Sequence, residues 1–495
     1  MNIAYVYPWD IVGDPAAPAR LAALGVDAVA LAASYHSTRA ATPFHPAHRV
    51  LDVPYSAFYL PVRQAAWGRL VPPNPTWTTP DAFLQARDAL RAAGLPVHAW
   101  IVLTHNSHLG AAHPDVAVRN AFGDPYPYAL CPSHEDVGEY CERLVREIVS
   151  VGAPDGIILE ACGPMGFGHQ SVHEKTAGAD WTSTQAALLS LCFCTACSPG
   201  YPDADRLRAL TRRAIDGSPT APGLAGPGSA ALGSAAPGSA APDSAVPGPA
   251  ALGSAAPGSP RSMAPGSPRS MVPGSAAPGS AAPDSAVPDS AVPGPAAPGS
   301  AALGSAAPGS PRSMAPGSAA LGSAVPGPAG PGPAGPGSAG PGSVEEALGE
   351  LARPVRELRT GLAAALRARL VAAVRELAPG LPIRTHASPD PWATGPFATL
   401  PDGDPSLDGL VGMCWGTPDE AVANLSRLAA NLTPRQRLGA YALLLPPKPA
   451  DPEELAASFT TFTKAGADEL HLYHVGLASP ARLTTLTEAL SLLRP

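Results

Sequence analysis

Eight short apolar runs, each bounded by turn residues, recur along the chain and narrow its fold more than any other feature. They are NIAYVYPW (2–9), VDAVALAASYH (26–36), PVHAWIVLTH (96–105), DGIILEAC (155–162), LPIRTHAS (381–388), LDGLVGMCW (407–415), LGAYALLLP (438–446) and DELHLYHVG (468–476). Near-continuous apolar runs of this length are what strands of a parallel sheet covered on both faces require. Helical spacing fills several of the gaps, over 79–94, 134–152, 358–380, 418–432 and 451–466. The first of these begins with Thr79-Pro80 and stops at Gly94, as helix starts and stops do. Strands alternating with helices predict an α/β fold, a single (β/α)8 barrel, over an open doubly wound sheet. No GxGxxG follows the first run to favour the open sheet.

One tract stands apart. From 217 to 343 the chain is almost wholly Pro, Gly, Ser and Ala, in units such as PGSAA and PGSPRSM, with no aromatic residue. It cannot bury enough apolar surface to offset its chain entropy, so disorder is expected. Arg261, Arg269 and Arg312 balance Asp243, Asp284 and Asp289 within it. The expected organisation is therefore 1–216 as the first part of the barrel with strands 1–4, 217–343 as a disordered insertion, and 344–495 as the second part with strands 5–8. Loop closure costs only about 0.6 kcal/mol per doubling of length, so such an insertion is tolerated.

The formal charge of −8 argues against nucleic acid or an anionic membrane as the main partner. No apolar run reaches the roughly 20 residues of a membrane span. The opening MNIAYVYPWD lacks a basic segment followed by an apolar one, so a cytoplasmic location is expected. Cysteines there are expected to be reduced, metal-bound or catalytic. Oligomeric state is not legible.

In a (β/α)8 barrel the active site is built at the carboxyl ends of the strands. Those ends supply Trp9 and Asp10, Tyr35 and His36, His105, Asn106 and His108, Glu160, His386, Trp415, and Tyr473 with His474. His169, His173 and Glu174 follow strand 4, and Asp390 and Trp392 follow strand 5. Glu160 comes first among them, because a carboxyl buried at the rim without a cation is poised to donate a proton. Trp9, Trp100, Trp392 and Trp415 offer flat faces for sugar rings or for core packing. The rim histidines suit sugar hydroxyls or, in a metallohydrolase, a metal.

Three cysteines cluster in LCFCTAC: Cys192, Cys194 and Cys197. A tetrahedral thiolate site needs a fourth ligand, which Cys131 supplies, with Cys162 as competitor. Unligated thiols and redox chemistry are the other readings. The order of Cys131 in ALCPSH, a strand ending in Glu160, then CxCxxC resembles the family 42 glycoside hydrolases, which are barrel β-galactosidases. It also resembles a looser group of bacterial glycoside-hydrolase-like barrel proteins. The resemblance implies a structural Zn2+ on Cys131, Cys192, Cys194 and Cys197, and Glu160 as acid/base. Strand 7, AYALLLPPKP, carries no carboxylate where that family has its nucleophile. The second carboxylate is therefore sought at Asp390 or Asp10, with Glu174 and Asp402 behind them. The resulting expectation is a barrel acting on a carbohydrate or other small polar substrate. A carbohydrate-binding barrel without turnover, or a metallohydrolase using the rim histidines, is the alternative.

Overall fold

In a computed structural model describing residues 1–168, 176–217, 341–446 and 449–493, the eight runs become eight strands. They are β1 (Asn2–Val6), β2 (Ala28–Tyr35), β3 (Val97–Val102), β4 (Gly156–Glu160), β5 (Ile383–Ser388), β6 (Gly409–Met413), β7 (Arg437–Leu443) and β8 (Glu469–Tyr473). Each pairs in parallel with the next, and β8 pairs with β1 through Asn2↔Leu470 and Ala4↔Leu472. The sheet is thus a closed barrel, and closure leaves no open edge. The described elements belong to one compact unit, Met1–Leu224 with Gly322–Pro495. A second unit, Ala225–Leu321, lies outside the described residues, as does most of the tract over 217–343 for which disorder is expected. His169, His173 and Glu174 also lie outside them.

The outer helices start where local chemistry tells them to. Thr417, Asp451 and Ser479 each accept a backbone N–H from the first turn of Pro418–Ala429, Pro452–Lys464 and Pro480–Leu492, and each is followed by Pro. Such a cap contributes about 1 kcal/mol, and Pro loses nothing at a position whose N–H is unpaired anyway. The long helix before β5 runs Ala352–Leu377, starting earlier than its periodicity over 358–380 indicates. Between β5 and β6 there is no helix; a short strand, Ala398–Thr399, pairs with β5 instead. Among the described residues, no helix is long and apolar enough to cross a membrane.

Alternation along the strands decides what fills the barrel. Glu469, His471 and Tyr473 share one face of β8, and Arg384 and His386 one face of β5. Barrel interiors are ordinarily layers of branched aliphatic side chains. Here the interior carries buried Tyr5, His98, Trp100, Glu160, Arg384, His386, Tyr441, Glu469 and His471. Glycine makes room for the rings: a Cβ on Gly439 would stand 2.4 Å from the His471 ring, and one on Gly156 would stand 3.2 Å from His98.

Candidate functional site

Glu160 is the last residue of β4, and the chain leaves the strand through Ala161 in the left-handed region (φ 53°). Its carboxyl Oε2 accepts a 2.6 Å bond from Trp100 Nε1 on β3. His386 Nδ1 on β5 lies 3.4 Å from the same oxygen. At 4% exposure no cation among the described residues compensates its charge, and burial pushes its pKa up to about 8, with the Trp100 bond acting against the shift. At neutral pH the carboxyl therefore carries a proton.

Around this acid stands a shell of rings. Tyr7 Oη donates to Tyr35 Oη at 3.0 Å, and the Tyr35 and Tyr473 hydroxyls lie 3.0 Å apart. Tyr7 also reaches His474 Nδ1 at 3.0 Å. Trp100 meets Tyr35 edge-on at 4.8 Å, while Trp415 stacks on Tyr473 at 5.2 Å. Trp9 stacks on Tyr7 at 4.4 Å and is buried. His36 stacks between Tyr35 and His105. Burial lowers His36 to about 4 and His474 to about 3, so both rings are neutral. His474 itself is in the left-handed region (φ 63°), a strained conformation of the kind that gathers at functional sites. The result is a mouth of neutral hydrogen-bonding rings over one buried acid.

Other residues singled out in the sequence have local duties. Asn106 accepts Leu109 N at 3.0 Å as the N-cap of Ser107–Ala112 and donates to Tyr140 Oη. Asp390 is exposed, and its Oδ1 accepts Trp392 N at 2.9 Å. Trp392 donates its indole N–H to Glu345 at 2.7 Å and belongs to the buried hydrophobic cluster that also contains Cys131, Cys192, Cys194 and Cys197. Asp402 is exposed in a turn. Asp10 is buried, and its Oδ2 accepts Tyr7 N at 2.9 Å. Desolvation raises its pKa to about 7, against the pull of that bond and of Arg20. Asp10 lines a cavity of about 20 Å³ with Arg20, His45 and Leu483, between the barrel rim and the surrounding helices.

The cysteines do converge. Cys131 follows the strand Pro125–Leu130, and CxCxxC follows the helix Ser183–Leu189. Their four sulfurs lie within 4.8 Å of one another, and all four residues are buried. Cys131 Sγ stands 3.4 Å from Cys197, 3.7 Å from Cys194 and 3.8 Å from Cys192. Four sulfurs each about 2.3 Å from one centre make a tetrahedron with edges of about 3.8 Å, so this donor set can hold a metal ion. Among the described residues no other group of three or more His, Cys, Asp or Glu side chains does so. Cys162 is buried but stands outside the group.

Sequence reasoning missed Tyr5, Arg384, Tyr441, Glu469 and His471. Their only signal is polar or aromatic residues at every second position inside apolar runs, as in ELHLY and IRTH.

No family model matches the chain, and no curated protein matches it. Among solved structures it is similar to α-L-fucosidase isoenzyme 2 from Paenibacillus thiaminolyticus, at 10% identity and a TM-score of 0.45, over 99% of this chain and 49% of that one. It is also similar to a β-galactosidase from the psychrophilic Marinomonas ef1, at 10% identity and a TM-score of 0.45, over 98% of this chain and 58% of that one. The chain thus spans about half the length of these two structures.

Proposed function

We propose that the barrel acts on a carbohydrate by acid–base chemistry, with Glu160 as the proton donor to the glycosidic oxygen. The observation that carries this reading is a buried carboxyl at the carboxyl end of β4, with its pKa pushed up to about 8 and its oxygen held by Trp100. A general acid with a pKa near the working pH contributes about 10²- to 10⁴-fold. Neutral Tyr35, His36, Tyr473 and His474 suit sugar hydroxyls, and Trp415 offers a flat apolar face. The motif resemblance to family 42 glycoside hydrolases supports the same assignment.

Glycoside hydrolysis also needs a second carboxylate, about 5 to 5.5 Å from the acid for retention and roughly 6.5 to 9.5 Å for inversion. Asp10 is our first choice and Asp390 the second, because Asp390 is exposed and its Oδ1 is taken by Trp392 N. Asp10 lines a cavity with Arg20 and Leu483, and that placement favours a second reading, a barrel that binds sugar without turnover. A panel of nitrophenyl glycosides with calorimetric sugar binding decides between them. The hydrolase reading expects wild-type turnover that falls 10²- to 10⁴-fold in Glu160→Gln. Binding without turnover supports the second reading, and the absence of both overturns the two together.

We further propose that Cys131, Cys192, Cys194 and Cys197 hold Zn2+ in a closed site that ties the hairpin after β3 to the segment after β4. Four protein ligands leave no position for substrate, so the ion stabilises and takes no part in the chemistry. One zinc per chain is expected by elemental analysis, and it should be lost in Cys194→Ser.

A further inference from the structure

The polar interior of the barrel is connected from foot to mouth. Arg384 binds Glu469 with two bonds of 2.7 Å, Nε to Oε2 and Nη2 to Oε1. Glu469 Oε2 lies 3.3 Å from His471 Nε2, and His471 Nδ1 lies 2.8 Å from Tyr5 Oη. Tyr5 Oη lies 3.2 Å from His386 Nε2, whose other nitrogen stands 3.4 Å from Glu160 Oε2. Tyr5, His386 and His471 are wholly buried, with Glu469 at 5% and Arg384 at 7% exposure.

The direction of these bonds follows from the foot. The Arg384 fork keeps Glu469 ionised, and an ionised carboxylate only accepts. His471 must therefore donate from Nε2. Burial disfavours its cationic form, so Nδ1 is left with a lone pair, and Tyr5 must donate to it. The Tyr5 oxygen then accepts from His386 Nε2–H. His386 is also held neutral by burial, so its Nδ1 is a bare lone pair, and it makes no other bond among the described residues. A carboxylate facing that lone pair is repelled, whereas a carboxylic acid is not.

We propose that Arg384, Glu469, His471, Tyr5 and His386 form a one-way hydrogen-bonded chain through the barrel. It presents a lone pair of His386 Nδ1 to Glu160 and so holds the Glu160 carboxyl in its proton-carrying form. These five are positioning residues that act through one another on the acid. Reversing the chain would turn a bare His471 nitrogen toward the Glu469 carboxylate or require a second proton on His471. Among the described residues, the other groups facing Glu160 do not supply a cation: Trp100 on β3, Tyr35 on β2, Tyr441 on β7 and Tyr473 on β8. Around His471 stand Glu469, Arg384 and Tyr5, with His98 and the amino terminus contributing at longer range.

The inference rests on Glu160 being the proton donor, but its test needs no turnover. The infrared carbonyl band of a protonated carboxyl that is lost in Glu160→Gln reports the Glu160 proton and is followed against pH. Tyr5→Phe cuts the chain and frees His386 to offer Nδ1–H, so the Glu160 midpoint is expected to fall by about one unit, tenfold in its acid constant. An unchanged midpoint overturns the chain. Nitrogen-15 spectra of the unmutated protein test the same point without any variant. Both His386 and His471 are expected to carry their proton on Nε2, and an Nδ1–H form of either overturns the proposal. Tautomers and midpoint as expected, alongside glycoside turnover unaffected by Glu160→Gln, would leave the chain standing and remove Glu160 from the reaction.

Discussion

Glu160 at the barrel mouth and Glu469 at its foot are buried to nearly the same depth, at 4% and 5% exposure, yet they sit on opposite sides of the ordinary carboxylate range. Burial pushes Glu160 up to about 8. Burial acts in the same sense on Glu469, but bonds from His471 and Arg384 outweigh it and hold that group well below the usual range. Depth alone therefore does not make an acid. The bonds at the foot decide: those from His471 and Arg384 hold an anion there, while the carboxyl at the mouth stays neutral.

The comparison breaks most sharply at Arg384. Arg384→Ala leaves Glu469 buried without its fork, and removing one partner of a buried pair costs about 3–5 kcal/mol. Urea unfolding at pH 7 measures the loss. The sign of its pH dependence is set by the depressed carboxyl: its stabilisation is present above the unfolded carboxylate pKa of 4.5 and disappears as pH falls through the folded value. The gap between wild type and Arg384→Ala should accordingly narrow in acid. A loss under 1 kcal/mol at neutral pH would mean that Glu469 is not held as an anion by Arg384.

The opposite sign applies at the mouth. A carboxyl raised from 4.5 to about 8 binds its proton more tightly in the folded protein, so it imposes no penalty below pH 4.5 and a growing one up to about pH 8. Glu160→Gln keeps an oxygen for Trp100 and supplies an N–H toward His386. It is expected to be neutral for stability at pH 4 and stabilising by on the order of 4 kcal/mol at pH 8, at about 1.36 kcal/mol per unit. Unfolding midpoints at the two pH values check it. Equal effects at both would show that Glu160 ionises freely in the folded state.

How much of this was legible in the sequence follows from the range of the interactions. The eight strands are visible because burial on both faces writes continuous apolar runs, and the helices after Thr417 and Asp451 because caps are local. Glu160 is visible because it ends such a run, and Cys131 because a local CxCxxC lacks a fourth sulfur. The interior chain is not visible. Whether His471 meets Tyr5 or Arg384 meets Glu469 depends on how closure staggers β1, β5 and β8, and no local pattern states that stagger. Asp390 is a related case: its proximity to strand 5 in the sequence does not state that its carboxyl is exposed in a turn, where its Oδ1 accepts Trp392 N.

The smallest effect sharpens the comparison in the space between the two carboxyls. A Cβ on Gly439 would stand 2.4 Å from the His471 ring, whereas one on Gly156 would stand 3.2 Å from His98. Overpacking a filled core costs about 1–3 kcal/mol, so Gly439→Ala should destabilise by that much and Gly156→Ala by less. The His471 ring can yield only by lengthening its 2.8 Å contact with Tyr5 or its 3.3 Å contact with Glu469. Gly439→Ala should therefore also lower the Glu160 titration midpoint, while Gly156→Ala, which presses on a histidine outside the chain, should leave it in place. Equal shifts from both substitutions would assign the raised Glu160 pKa to burial alone.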